Sequence, residues 1–246
     1  MQQQQPPRRA KAAAVVWDLD GTLLDTETLS TAAIQMVLDE VGGGQQQQQQ
    51  QYRIEWELKR RLLGLPGDVW GQMVVDELGL HGLITGPDLV SKWEVHLSSL
   101  SGSVEKMPGA LAAVSRCQAA GVRQAIATSS SRAGVAKKSA LHADLFAHMS
   151  LVVTGDDEAI RAGKPEPDIY LLAAQRLQVD ARECVAVEDS LAGVLSALRA
   201  GMFCVAVPDP RLSTDKFEEA IAAHEGRGVI LEKLDADVLH ALLRLD

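Results

Sequence analysis

Asp18 and Asp20 stand one residue apart at the end of an apolar run, in the stretch "VVWDLDGTLLDTE". Two like charges this close repel, and one takes up a proton unless a cation or a division of labour relieves them. A bound hard divalent cation such as Mg2+ does both, since it prefers oxygen ligands and keeps several waters. The segment "VEDS" adds two more carboxylates, Glu188 and Asp189. No softer metal competes, because the six histidines are scattered. An acidic site that receives a phosphate also needs donors. Lys164 in "AGKPEPD" can supply a cation, and Thr128, with the backbone N–H groups of Ser129 and Ser130 leading into the next helix, can supply hydrogen bonds. An Asp carboxylate that attacks phosphorus gives an aspartyl phosphate and splits one hard hydrolysis into two easier steps. A second carboxyl two residues on can protonate the leaving oxygen and then activate water.

These residues are far apart in the chain, so the elements must bring them together. From Pro108 onward, strand and helix alternate: "GALAAVSRCQAAG" (helix), "RQAIATSS" (strand), "RAGVAKKSAL" (helix), "MSLVVTGD" (strand), "PDIYLLAAQRLQ" (helix), "CVAVED" (strand), "LAGVLSALRAG" (helix) and "FCVAVPD" (strand). A last core helix follows in "DADVLHALLRLD". Strict alternation implies an α/β fold, a doubly wound parallel sheet covered by helices on both faces. The strand "AAVVWD" belongs to this sheet although it comes first in the chain. Each candidate polar group then follows a strand, and the carboxyl ends of strands in such sheets form the ligand crevice.

Between the first strand and Pro108 the chain reads as helices alone. The segment "TETLSTAAIQMVLDEVG" has helical spacing, with Thr26 or Asp25 as N-cap and Gly42 as stop. "YRIEWELKRRLLG", "PGDVWGQMVVDELGL" and "TGPDLVSKWEVHLSSL" continue the pattern. The expected organisation is a tail at 1–11, a core domain at 12–24 and 108–246, and an inserted helical domain at 25–107. The glutamine runs at 2–5 and 45–51 cannot bury apolar area, so the first reads as a disordered tail and the second as a solvated loop within 43–51.

Composition narrows the function classes. The 246 residues carry a formal net charge of −9, which disfavours a nucleic-acid partner because that role needs a basic face. No apolar run reaches bilayer length, so no membrane partner is expected. The N-terminal stretch lacks the long apolar segment of a secretory signal. Arg8, Arg9 and Lys11 in an acid-free stretch could be read as a short organelle transit segment, but the first strand follows too soon, and a cytoplasmic monomer is the expectation. Cys117, Cys184 and Cys204 lie in apolar segments and read as buried thiols.

The four segments "DLDGTLLDTE", "TSSS", "GKPEPD" and "VEDSLAGVLSA", in this order, resemble the four motifs of the haloacid dehalogenase superfamily, in the branch with small-metabolite phosphatases. The resemblance runs from about Ala12 through nearly the whole chain. It implies a nucleophile at Asp18, a general acid/base at Asp20, and Mg2+ held by Asp18, the main-chain carbonyl of Asp20, and Asp189. It also implies phosphate binding by Thr128 and Lys164, Glu188 at or just outside the metal shell, and a helical cap that closes over the site and selects a small phosphorylated metabolite. A carboxylate at Asp20 matches the phosphatases and phosphomutases. Ser30 stands where β-phosphoglucomutases carry a histidine, so hydrolysis is the reading and a mutase the alternative; a noncatalytic binding homologue comes after both. The chain looks most like plant and algal homologues named for flavin mononucleotide, glycerol 3-phosphate or pseudouridine 5′-phosphate.

Taken singly, each motif has a plainer explanation. "DLDGT" is a good turn, "TSSSR" a good helix start, Lys164 a loop charge, and "VEDS" an acidic helix start that suits the helix dipole. Four such coincidences at four strand ends argue otherwise. Arg132 is balanced between substrate contact and solvent. Lys59, Arg60 and Arg61 read mostly as a solvated face. Trp17 reads as sheet packing, and Trp56, Trp70 and Trp93 as core anchors of the helical insertion.

Overall fold

The computed structural model describes residues 11–43, 52–63 and 65–244. The two glutamine tracts lie outside the described residues. The chain divides into two compact units, Met1–Leu24 with Lys106–Asp246, and Asp25–Glu105.

The second unit is helical: α1 (Thr26–Gly43), α2 (Trp56–Leu62), α3 (Gly67–Glu77) and α4 (Gly86–Leu100). Asp25 caps α1, its carboxylate accepting from the Thr28 N–H at 3.1 Å and the Thr28 hydroxyl at 2.8 Å. Thr85 caps α4 by accepting from the Asp88 N–H. The helix expected from Tyr52 is shorter than its apolar spacing suggests. Gln35 of α1 donates to the Tyr52 carbonyl at 2.9 Å and accepts from the Ile54 N–H at 3.1 Å, which ties residues 52–54 to a side chain instead of a helical ladder. The unit has its own core: Ile34, Val37 and Leu38 of α1 meet Leu58, Leu62, Trp70, Val74 and Leu89. Trp93 packs against it, edge-on to Trp70 at 5.2 Å. Trp56 is only partly buried and is not among the residues of that cluster. Arg60 and Arg61 face solvent, but Lys59 does not. It is buried, 2.9 Å from the Glu27 carboxylate and 3.1 Å from the Ser30 hydroxyl.

The first unit is a six-stranded, fully parallel sheet. Its strands are β1 (Ala14–Trp17), β2 (Arg123–Thr128), β3 (Leu151–Thr154), β4 (Cys184–Glu188), β5 (Phe203–Ala206) and β6 (Gly228–Ile230), in the order β3-β2-β1-β4-β5-β6. Its helices are α5 (Ala110–Ala119), α6 (Arg132–Leu141), α7 (Ala143–Phe146), α8 (Asp168–Leu177), α9 (Leu191–Arg199), α10 (Asp215–Ala223) and α11 (Ala236–Leu243). Successive strand residues point to opposite faces. One face, with Ala14, Val16, Ala125, Ala127, Ala186 and Cys204, packs on α8, α9 and α10 through Tyr170, Leu198 and Phe217. On the other face Trp17 is fully buried and donates its indole N–H to Gln124 at 3.0 Å, while Gln124 donates to the Val114 carbonyl of α5 at 3.1 Å. This is the doubly wound parallel sheet that the alternation implies. α7, α10 and β6 extend it beyond the elements expected from sequence.

β1 sits between β2 and β4, with Trp17 level with Ile126 and Val187. The Asp18 N–H continues the ladder onto the Val187 carbonyl at 2.9 Å. The carboxyl ends of these three central strands are therefore neighbours. No described helix is long and apolar enough to cross a membrane.

Candidate active site

The carboxyl ends of β1, β2 and β4 place Asp18, Thr128 and Glu188 side by side, and the loop before α8 delivers Lys164 between them. Its ammonium donates to Asp18 Oδ1 at 2.6 Å, to Glu188 Oε1 at 2.6 Å and to the Ala127 carbonyl at 3.1 Å. Burial would push the Lys164 ammonium toward neutrality, but Asp18 and Glu188 outweigh it and hold the group charged. Glu188 is completely buried. Its Oε1 also accepts from the Tyr170 hydroxyl at 2.8 Å, and its Oε2 accepts from the Ser190 N–H and hydroxyl, both at 3.1 Å. Ser190 in turn caps α9 by accepting from the Gly193 N–H. The acidic helix start and the site are thus one arrangement.

Asp18, Glu188 and Asp189 each offer an oxygen within 4.8 Å of the others. One ammonium does not balance three carboxylates. Burial, with Glu188 and Asp20 adding to it against Lys164, pushes the Asp18 carboxyl up to about 7. Burial, with Asp18 and Glu188 adding to it, raises Asp189 well above the usual carboxylate range, although Thr22 donates to it at 3.0 Å. Asp18 Oδ2 is buried with no hydrogen-bond partner. A cluster short of positive charge, carrying an orphaned carboxylate oxygen and only hard oxygen donors, fits a divalent cation such as Mg2+. Glycine makes the close approach possible. Gly21 has a φ of +90°, where side chains are strained, and a Cβ there would lie 2.3 Å from Asp189 Oδ2.

Asp20 behaves differently from Asp18. Its carboxylate turns toward β2 and α6, with Oδ2 accepting from Thr128 Oγ1 at 3.0 Å and from Ser130 Oγ at 2.7 Å. Its Oδ1 is paired with the Lys138 ammonium. Burial would raise the Asp20 carboxyl, but the Lys138 charge and the bonds from Lys138, Ser130 and Thr128 bring it below its ordinary value. The two carboxylates of the opening motif thus have separate environments, the Asp18 carboxyl raised and the Asp20 carboxyl lowered, and a cation beside Asp18 would favour its ionised form.

Thr128 Oγ1 also accepts from the Ser130 N–H at 3.0 Å. Ser129 is exposed at the loop between β2 and α6. Ser131, not Ser130, caps α6 by accepting from the Gly134 N–H. Arg132 is exposed, and its backbone N–H donates to the Asp156 carboxylate at 2.9 Å. Among the expected site residues, then, Asp18, Lys164, Glu188 and Asp189 form one cluster, and Asp20 and Thr128 form an adjoining pair. Lys138, Ser130 as a side-chain donor, and Tyr170 join them without having been singled out from sequence. Only the helical phase of α6 distinguishes Lys138 from Lys137, and only the fold brings Tyr170 to β4.

The chain matches the family described as "Hydrolase: haloacid dehalogenase-like hydrolase" over residues 12–201. It is 33% identical over 207 residues to (DL)-glycerol-3-phosphatase 2 of Arabidopsis thaliana, covering 83% of this chain and 82% of the relative. It is 35% identical over 213 residues to a Drosophila melanogaster protein named "Probable pseudouridine-5'-phosphatase", covering 85% and 87%. Among solved structures it resembles a HAD family hydrolase from Deinococcus radiodurans R1 with bound phosphate and sodium. The TM-score is 0.72 at 25% identity, over 96% of this chain and 97% of that one. With its sheet, its strand-end carboxylates and these relatives in agreement, the chain belongs to the haloacid dehalogenase-like hydrolases.

Proposed function

We propose that the protein is a Mg2+-dependent phosphatase that hydrolyses a small phosphomonoester through an aspartyl phosphate on Asp18. The observation that carries this reading is the pair of contrasting environments around Asp18. Lys164 lies 2.6 Å from Oδ1, and Oδ2 is buried without a partner inside a three-carboxylate cluster. Asp18 and Asp189 would hold the metal together with the main-chain carbonyl of Asp20. Glu188, with both oxygens already engaged by Lys164, Tyr170 and Ser190, would stand just outside and hold Lys164. When bound, the cation supplies charge for the transferring phosphoryl oxygens and lowers repulsion toward an anionic nucleophile.

The residues of the chain supply the rest. The ionised Asp18 carboxylate attacks phosphorus while Lys164 neutralises a phosphoryl oxygen and Thr128 donates a hydrogen bond to another. Protonated Asp20 gives its proton to the leaving oxygen as the P–O bond to it breaks. Asp20, now ionised, takes a proton from water as that water attacks the phosphorus, and Asp18 is released with inorganic phosphate. The Lys138 and Ser130 contacts favour the ionised form of Asp20 that this second step requires. The substrate candidates are FMN, glycerol 3-phosphate, pseudouridine 5′-phosphate and sugar phosphates, the first three of which are substrates named in its relatives.

The test is phosphate release with Mg2+ from a panel of FMN, glycerol 3-phosphate, pseudouridine 5′-phosphate and β-glucose 1-phosphate. Release from one substrate far ahead of the others supports the reading. Conversion of β-glucose 1-phosphate to its 6-phosphate without net release would replace it with the mutase. At the position where mutases carry a histidine, Ser30 instead accepts from Lys59.

A further inference from the structure

We propose that Lys138 is a positioning residue that holds the acid/base carboxylate of Asp20 while phosphate takes Thr128 away from it. The inference rests on the phosphatase reading and adds to it a residue that no motif of the resemblance contains.

Asp20 lies in the loop after β1, so no strand or helix fixes its side chain. Three groups from β2, its following loop and α6 fix it instead: Thr128 at 3.0 Å, Ser130 at 2.7 Å and the Lys138 ammonium. Lys138 Nζ is also 2.9 Å from Ser130 Oγ, so the two donors form one bracket. A lysine on an exposed helix normally leaves its ammonium in water, since ordering a long side chain costs about 2 kcal/mol of rotamer entropy. The Lys138 side chain is only 15% exposed and ends on Asp20. The result is two separate ion pairs at one motif, Asp18 with Lys164 and Asp20 with Lys138, which keep like charges from sharing one cation.

The Thr128 hydroxyl has a single proton to donate, and in this structure that proton goes to Asp20. A phosphoryl oxygen bound by Thr128 must therefore displace Asp20 from it. Ser130 and Lys138 are the donors that remain, and Oδ1, the oxygen on Lys138, becomes the pivot about which Asp20 turns toward the leaving group. Misplacing a proton donor by about 1 Å can lower a rate 100-fold.

The experiment compares Lys138→Met and Lys138→Arg with wild type in acid-quenched phosphoenzyme formation with Mg2+. One substrate is glycerol 3-phosphate, or another alkyl phosphate that the wild type accepts, whose alkoxide needs a proton to leave. The other is p-nitrophenyl phosphate, whose phenolate leaves without one. Lys138→Met should slow phosphorylation by the alkyl ester about 10–100-fold and by p-nitrophenyl phosphate less than about threefold, with KM for both changed little. Lys138→Arg keeps the charge and should recover part of the loss. A merely structural lysine would slow both substrates alike and not respond to arginine, and that result, or wild-type rates in Lys138→Met, would overturn the inference. Absence of phosphoenzyme in the wild type with every substrate would instead sink the phosphatase reading on which it rests.

Discussion

Replacing Gly193 by alanine is a sign test of how the site is packed. Gly193 is in the first turn of α9, where intrinsic preference alone favours alanine over glycine by about 1 kcal/mol. The structure predicts the opposite. A Cβ at Gly193 would lie 1.7 Å from Glu188 Oε1, 1.9 Å from its carboxyl carbon and 2.2 Å from Oε2. An ordinary contact needs well over 3 Å, so the carboxylate must leave its place. It is held there by Lys164 at 2.6 Å, Tyr170 at 2.8 Å and Ser190 at 3.1 Å, and it has no exposed surface toward which to retreat. Separating a buried, hydrogen-bonded ion pair costs about 3–5 kcal/mol. Subtracting the helix preference leaves a net destabilisation of about 2–4 kcal/mol. For a chain of this size that lowers Tm by on the order of 5–15 °C. Thermal unfolding followed by circular dichroism, with metal absent, reads it directly. Gly193→Ala as stable as wild type, or more stable, would refute the claim that this carboxylate is locked against the helix backbone.

Three further outcomes follow from the same geometry. Mg2+ at about 100 times its Kd should stabilise the protein by about 2.7 kcal/mol, a Tm rise on the order of 5–10 °C, and Asp189→Ala should remove most of that rise; an unchanged metal titration in the variant would take Asp189 out of the metal site. Burial pushes the Cys117 thiol up to about 12, so at pH 8.5 only roughly one molecule in 3,000 carries the thiolate there, and Cys184 and Cys204 are buried as well. Native protein should therefore resist iodoacetamide at all three, whereas unfolded protein reacts; fast native alkylation of Cys117 would contradict the packing. Because the raised Cys117 value favours the neutral thiol in the folded chain, its contribution to stability should be lost as pH rises from the ordinary thiol range toward 12, a fall that urea titrations across that range would register.

The sheet was legible because its central strands are short apolar runs that each end in a polar site residue, and because helices of regular period separate them. β6, the three residues Gly228–Ile230, has no such signature: it follows "HEGR", is only half-buried and has one strand neighbour, β5. α10 was amphipathic enough to be seen in "DKFEEAIAA", yet it carries no motif and lies in a segment that the alternation left unassigned. Within the site, Asp18, Lys164, Glu188 and Asp189 were readable because two like charges in a buried position demand an opposite charge somewhere. Lys138 was not, because its role depends on which side of α6 meets Asp20 and on Thr128 needing a competitor for its one proton. Lys59 shows the same gap in the helical unit. Three adjacent basic residues suggest a solvated face, but the phase of α2 turns one of them inward onto Glu27 and Ser30.

The most direct measurement is the location of phosphate on the chain during turnover. Acid quenching with substrate and Mg2+, followed by borohydride reduction and peptide mass spectrometry, should find the acyl phosphate on Asp18 alone, and Asp18→Asn should abolish both the adduct and phosphate release while leaving the fold intact. Steady phosphate release with no adduct, an adduct on another residue, or near wild-type turnover in Asp18→Asn would contradict the account.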